Sequence, residues 1–314
     1  MFLWLGIIVF LEVGRIRAKT KKSQSIRPKS ESMSHLFNNP VGCAEDDYSR
    51  SSYVRSLVQT PQSSPAPPLG SKSTIPKIIV QFWHNLDQIP KDVQECLDTW
   101  KPLVAHGFDR LIFDDRKARR FIFTEFGSTH IDAFDLCYHP AMRCDYFRLC
   151  YILSSGGFYV DADEMYQGKD FNHLFDDNRL KMQPLCYDTE IGAMIKPDVF
   201  MRDRQYSPKW IFYFNNNPII SPAGHPIIRL ALERATRILI NSREKPEIQF
   251  TTGPGNLTAS LVRYAIAREL AGETQDFLIL SDWEAMSISP WPLSYRNDAR
   301  NWRLSNAKEF AEGN

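Results

Sequence analysis

The sequence predicts an α/β domain with a largely parallel sheet, and three observations carry that prediction. From Ile75 onward, short apolar runs alternate with stretches of helical length. The best-defined helix, in His139–Gly157, passes through a Gly-Gly pair straight into a second apolar run, "FYV". Two carboxylates, Asp161 and Asp163, then follow at the carboxyl end of that run, where open α/β sheets bind ligands.

The domain opens at "IPKIIVQFW" (Ile75–Trp83), a β-type run behind a proline. "IPKDVQECLDTW" follows as a helix with Pro90 near its start, where a missing N–H costs nothing. "DRLIFDD" (Asp109–Asp115) reads as the next strand and Arg116–Phe126 as a helix, with Asp114-Asp115 as a turn or N-cap between them. In His139–Gly157, Pro140 suits the first turn and Gly156-Gly157 the C-terminal cap. Met142, Tyr146, Leu149 and Leu153 recur at helical spacing and form one apolar stripe. Asp145 and Arg148 are i, i+3 neighbours on a second face, roughly a quarter turn away, and so belong at a core boundary. "FYV" is short and apolar, as a buried parallel strand would be. No internal repeat is visible.

With 314 residues, 43% hydrophobic and 24% charged, the chain can build one large domain or two modest ones. A net charge of +1 supplies no basic field and argues against a nucleic-acid partner. Cys43, Cys96, Cys137, Cys144, Cys150 and Cys186 show neither a C-x-x-C pair nor zinc spacing, which reads as buried thiols, with disulfides open in a secretory compartment. The N-terminal "MFLWLGIIVFLEV" is too short for a standard spanning helix and resembles a signal-peptide core or short anchor. The basic cluster in "GRIRAKTKK" lies after it, which by the positive-inside rule would keep the rest cytoplasmic. The expectation is membrane association through the N-terminus in the secretory pathway, Golgi or ER, with the cytoplasmic membrane face as alternative. The expected divisions are a signal or anchor over 1–18, a Ser/Pro/Lys-rich stem or linker over 19–73, and one catalytic domain over 74–314.

Residues i and i+2 of a strand share a face, so Asp161 and Asp163 would repel unless a cation or strong donor lay between them. Mg²⁺ and Mn²⁺ prefer such carboxylates, with substrate phosphates completing their coordination. A bare D-x-D is a weak signal; its helix–Gly-Gly–strand lead-in is what raises it.

The stretch "AMRCDYFRLCYILSSGGFYVDAD" resembles the sugar-binding region of the DXD-containing glycosyltransferases of family 32, the group of the fungal initiating α-mannosyltransferases. A more distant likeness is to the glucosylating clostridial toxins. The pattern is carried by Ala141, Cys144-Asp145, Arg148, Gly156-Gly157-Phe158-Tyr159 and Asp161-Ala162-Asp163. "IPKIIVQFW", "GHPII" (Gly224–Ile228) and "TGPGNLT" (Thr252–Thr258) resemble further family segments. The resemblance implies a Rossmann-like nucleotide-diphospho-sugar transferase fold of the A type in a single catalytic domain. It implies an enzyme that uses Mn²⁺ or Mg²⁺ to move a sugar from GDP-mannose or a UDP-hexose to an acceptor hydroxyl, with retention. By carry-over, Asp163 with Asp161 would bind the metal, and Asp161 would also meet the donor's ribose or sugar. Asp145 and Arg148 would hold sugar hydroxyls and complete the catalytic set. Gln81, Trp83, Gly156, Gly157, Tyr159 and Asp161 would line the nucleotide-sugar, with Trp83 against the base. The acceptor stays open between glycan, lipid, protein and small molecule.

Three departures stand out: Val80 where the family often has His, Cys144 for Ser or Ala, and "YRNDARNW" (Tyr295–Trp302) in place of a late His-containing segment. In that last stretch Asp298, Asn301 and Trp302 are the candidates to close the site. His84, His139 and His225 lack metal-ligand spacing and read as structural or surface residues. Asn256-Leu257-Thr258 fits a glycosylation sequon, but an Asn or Thr capping the next helix is the preferred reading. Two rivals remain. A haloacid-dehalogenase-type phosphotransferase would use Asp161 as nucleophile and Asp163 as acid/base, but "DADEMYQ" lacks the following Thr or Val. A degenerate transferase domain would act only as a binding or scaffold protein.

Overall fold

The computed structural model describes residues 44–60, 73–290 and 292–305. Helix α1 (Ala44–Gln59) comes first, then strand β1 (Ile78–Phe82), helix α2 (Lys91–Asp98) and strand β2 (Asp109–Phe113). Helices α3 (Asp115–Phe126), α4 (Ser128–Asp135) and α5 (Pro140–Ser155) lead to strands β3 (Gly157–Tyr159) and β4 (Met165–Tyr166). The second half holds β5 (Leu180–Asp188), β6 (Ala193–Ile195), β7 (Trp210–Ser221) and helices α6 (Pro226–Asn241), α7 (Ile248–Thr251) and α8 (Pro254–Leu270). Strand β8 (Phe277–Ile279), helix α9 (Trp283–Met286), strand β9 (Ser287–Ile288), a 3₁₀ turn over Ser294–Asn297 and helix α10 (Trp302–Ser305) follow.

Seven strands form one mixed sheet in the order β2-β1-β3-β7-β5-β6, with β8 beside β5. β1 is parallel to both β2 and β3, the arrangement expected from strand–helix alternation. β7 enters antiparallel between β3 and β5. Both sheet faces are buried, and neighbouring residues show it by going to opposite sides. Val80, Tyr159 and Ile219 join a core shared with α5, α6 and α8. Ile79, Phe158 and Ile220 join a second, aromatic core with Trp100, Phe108, Phe171 and Trp283.

Helix α5 places the site. His139 caps it, its Nδ1 accepting the Ala141 N–H at 3.0 Å. The helix stops at Gly156, whose φ is +68°, and Gly157 follows at +106°. A Cβ on Gly156 would lie 2.6 Å from the Ala223 nitrogen and 2.8 Å from the Ser221 oxygen, so glycine is required twice over. β3 then carries the chain to Asp161 and Asp163, four and six residues after Gly157.

Two expectations need correction. Residues 44–59 lie within the span assigned to a stem or linker, yet they form α1, and Tyr53, Val54 and Val58 pack into the main core. The Ser-rich composition concealed Tyr53, Val54, Leu57 and Val58, which fall on one helical stripe. Asn256 is not the cap of α8; Gly253 holds that place, and Asn256 is fully buried and donates from Nδ2 to the Ala231 carbonyl at 2.9 Å. Burial also closes the sequon reading there. The apolar N-terminal run lies outside the described residues, and among those described no helix is long and apolar enough to cross a membrane.

Candidate functional site

Asp161 and Asp163 stand on the loop leaving β3 at its carboxyl end, and two networks fix them. Arg148 of α5 donates from Nη2 to Asp161 Oδ1 at 2.8 Å, and the Tyr159 hydroxyl donates to the same oxygen at 3.1 Å. The Asp161 N–H donates to Asn217 Oδ1 at 2.9 Å, which ties the loop to β7. Among the described residues, the side-chain hydrogen bonds to Asp161 go to Oδ1, and the side chain keeps 29% of its exposure. Oδ2 accepts none of these bonds and is the oxygen left for a ligand.

Asp145 and Arg148 sit together, deeper than a core boundary. Arg148 Nη2 lies 3.0 Å from Asp145 Oδ1, and Nη1 donates to the Asn216 carbonyl at 2.6 Å. Its guanidinium also lies over the Tyr159 ring, 4.4 Å from the centroid. Asn216 Nδ2 donates to Asp145 Oδ1 at 2.8 Å, and the Thr252 hydroxyl reaches Oδ2 at 3.4 Å. Burial pushes the Asp145 carboxyl up to about 6, against the opposing pull of Arg148.

Asp163 is held from the far end of the chain. The Tyr295 hydroxyl donates to its Oδ2 at 2.6 Å, and Arg296 Nη2 donates to the same oxygen at 2.5 Å. The antiparallel pair β4–β9 returns the chain to this loop and makes the contact possible. Next to it, Glu164 turns inward, accepting from the Ser287 hydroxyl at 2.5 Å and from Asn217 Nδ2 at 3.1 Å. Burial there pushes its carboxyl up to about 8.

The residues expected along the nucleotide-sugar divide differently. Tyr159 and Gln81 are fully buried, so neither presents a surface to a donor. Gln81 accepts from Arg110 Nε at 2.9 Å and reaches the Asp161 carbonyl at 3.5 Å, supporting the loop from beneath. Gly156 and Gly157 lie at the amino end of β3, packed against the backbone of residues 221–223 and 78, and shape the turn instead of lining a ligand. Trp83 is 8% exposed and meets the Tyr295 ring edge-on at 5.3 Å, its buried Nε1 without a hydrogen-bond partner among the described residues. Of the late candidates, Asp298 pairs with Arg300 at 2.6 Å. Asn301 holds the Arg296 carbonyl at 2.7 Å, and Trp302 packs on the main core. Asp114 caps α3, as read, and His225 caps α6.

Sequence reasoning passed over Asn216, Asn217, Glu164, Tyr295 and Arg296. One signal was available: "FNNNP" puts three asparagines in a row in an otherwise apolar strand, where asparagine is depleted.

A separate cleft of about 630 Å³ lies between α3, α4 and the start of α5, lined by Arg116, Arg119, Arg120 and Arg143 with Asp115 and Asp135. It contains none of the D-x-D carboxylates.

The chain is similar to an initiating mannosyltransferase. Over 208 residues, 60% of this chain, it is 23% identical to the initiation-specific alpha-1,6-mannosyltransferase of Schizosaccharomyces pombe. The match spans 48% of that protein, so the chain corresponds to about half of its curated relative. Among solved structures, the PaToxG glycosyltransferase aligns with 87% of this chain and 94% of its own, at a TM-score of 0.41 and 16% identity. The bifunctional glycosyltransferase WbbM, in its apo form, aligns with 68% of this chain and 40% of its own, at 0.31 and 10%. No protein-family model matches the chain.

The donor set suits a hard cation. It offers two carboxylates on one loop, and among the described residues no group of three or more His, Cys, Asp or Glu side chains clusters to hold a metal. Asp161 and Asp163 are the residues that could hold a hard cation such as Mg²⁺ or Mn²⁺, which takes remaining ligands from phosphate and water. Arg296 already puts a positive charge against Asp163.

Proposed function

We propose that this chain is a metal-dependent glycosyltransferase that moves a sugar from a nucleoside-diphosphate sugar, GDP-mannose or a UDP-hexose, to an acceptor hydroxyl with retention of configuration. The observation that carries this reading is the pair Asp161 and Asp163 at the carboxyl end of β3, with Asp161 locked by Arg148 and Tyr159 on one oxygen. Similarity to the mannosyltransferase supports it.

Asp163 and Asp161 Oδ2 would hold Mn²⁺ or Mg²⁺, which when bound supplies positive charge for the departing diphosphate. Burial raises the Asp161 carboxyl; Arg148 and Tyr159 oppose that shift and hold the side chain in place. Asn217 fixes the backbone that carries it, and Asn216 orients Asp145. Asp145 and Glu164 are each committed to protein donors, which favours front-side displacement over a covalent intermediate on either of them. The N-terminal apolar run would tether the enzyme in the secretory pathway, with a glycan, lipid, protein or small molecule as acceptor.

A second reading, a degenerate binding or scaffold protein, is favoured by one observation: Arg296 and Tyr295 occupy Asp163. Full-length protein incubated with Mn²⁺ and each common UDP- and GDP-sugar separates the two. Nucleoside diphosphate should be released from one donor, and the release should vanish with EDTA. Asp163→Asn should cut turnover at least about 100-fold, roughly 3 kcal/mol of transition-state stabilisation, with the fold intact and the melting temperature lowered by the lost Arg296 ion pair. A fully active Asp163→Asn protein would sink the reading; absence of release and of nucleotide binding would favour the scaffold.

A further inference from the structure

The contact between Asp163 and the C-terminal turn is too well built to be incidental packing. Arg296 Nη2 donates to Asp163 Oδ2 at 2.5 Å and to Ser289 Oγ at 2.7 Å, and Arg296 Nε reaches the Tyr295 hydroxyl at 3.3 Å. The arginine and aspartate side chains are only 11% and 16% exposed. The four-residue turn that presents Arg296 is pinned at both ends. Asp92 accepts from the Ser294 N–H at 2.5 Å and from its hydroxyl at 3.0 Å, while Asn301 Nδ2 holds the Arg296 carbonyl at 2.7 Å. Tyr295 closes over the Trp83 ring.

A divalent cation bound to Asp163 would face this guanidinium across one carboxylate oxygen, and two positive charges at that range repel strongly in a shielded site. Both cannot share Oδ2, so a cation that takes that oxygen displaces the guanidinium. A guanidinium released there lies beside the group that brings the cation, a diphosphate, which its planar fork matches. Resting on the metal-dependent reading above, we propose that Arg296 is a built-in counter-cation of the D-x-D loop. It holds Asp163 while the donor is absent, yields to the divalent cation, and then pairs with the donor's diphosphate. The turn Ser294–Asn297 is thus the latch of the donor site.

The test is calorimetric titration of the full-length protein and of Arg296→Met and Arg296→Lys, first with Mn²⁺ alone and then with UDP or GDP at saturating Mn²⁺. Arg296→Met should bind Mn²⁺ at least about tenfold tighter than wild type and the nucleoside diphosphate at least about tenfold weaker. Arg296→Lys, with its charge kept and its fork lost, should stay near wild type for Mn²⁺. Hydrogen exchange needs no variant: in the wild type, amides of residues 295–298 should lose protection with Mn²⁺ and regain it with Mn²⁺ plus UDP or GDP. Affinities that are unchanged or that fall together, with exchange unaltered, overturn the latch. If Mn²⁺ binds all three proteins equally, the latch fails and the metal reading stands. If nucleoside diphosphate binds but Mn²⁺ binds none of them, both fail.

Discussion

Arg148 is shared between Asp145, Asp161 and the Asn216 carbonyl, and it is almost wholly buried. A buried charge of this kind is worth little on balance while its partners remain, but removing it strands two carboxylates. Arg148→Met should therefore destabilise the fold by about 3–5 kcal/mol, read as a fall in thermal midpoint, and a midpoint unchanged within error would refute the pairing described here. Arg148→Lys should land between, because one ammonium cannot serve both carboxylates at fork geometry. Tyr159→Phe is milder. It removes one donor from Asp161 without opening a cavity, and about 1 kcal/mol is the expected loss. At this scale Asp161, Asp163, Asp145 and Arg148 were legible in the sequence because their spacing is local. Their partners were not. Asn217 lies 56 residues from Asp161, and Arg296 lies 133 residues from Asp163, distances over which no periodicity carries information.

Among elements, the α5–β3 unit was readable because each of its signals is local: Pro140 in the first turn, an apolar stripe, and a glycine pair at the stop. Gly156→Ala tests the last of these. The left-handed backbone costs about 1–2 kcal/mol for a residue with a Cβ, and the clash with residues 221–223 adds to it. A urea midpoint close to wild type would mean that the turn can rearrange. Helix α1 was hidden for the opposite reason, since polar residues surround its stripe and composition averages the stripe away. Its burial makes the helix part of the folded domain. A chain beginning at residue 73 uncovers the core that Tyr53, Val54 and Val58 cover, and the loss of three such side chains amounts to about 5 kcal/mol. That chain should melt about 10 °C or more below the full-length protein. Equal melting temperatures would return residues 44–59 to the role of linker.

Across the whole molecule, titration links the site to stability, and the signs of the shifts separate by pH. His84 is lowered to about 4, chiefly by burial and then by Arg143 and Arg300. Its folded form binds fewer protons than the unfolded chain, so it adds stability as pH rises from about 4 to 6.5. Asp145, raised to about 6, acts the other way: its contribution is complete below 3.8 and gone once pH has risen through 6. Glu164 extends that loss further. Buried between Ser287 and Asn217 and beside Asp163 and Asp161, it is raised from 4.5 to about 8, so the folded state retains a proton that the unfolded chain has released. Its stabilisation is complete below 4.5 and disappears as pH climbs through 8. Between pH 7 and 8.5 His84 and Asp145 are past their own ranges, and Glu164 is crossing its own. The wild-type melting temperature should therefore fall across that window, by about 1 kcal/mol in stability. Glu164→Gln keeps the shape and the neutral charge, and its melting temperature should stay nearly level there. Thermal melts of both proteins at half-unit pH steps measure the difference directly; parallel curves would mean that Glu164 is ionised in the folded state, and that Asn217 and Ser287 bind a carboxylate and not a neutral acid.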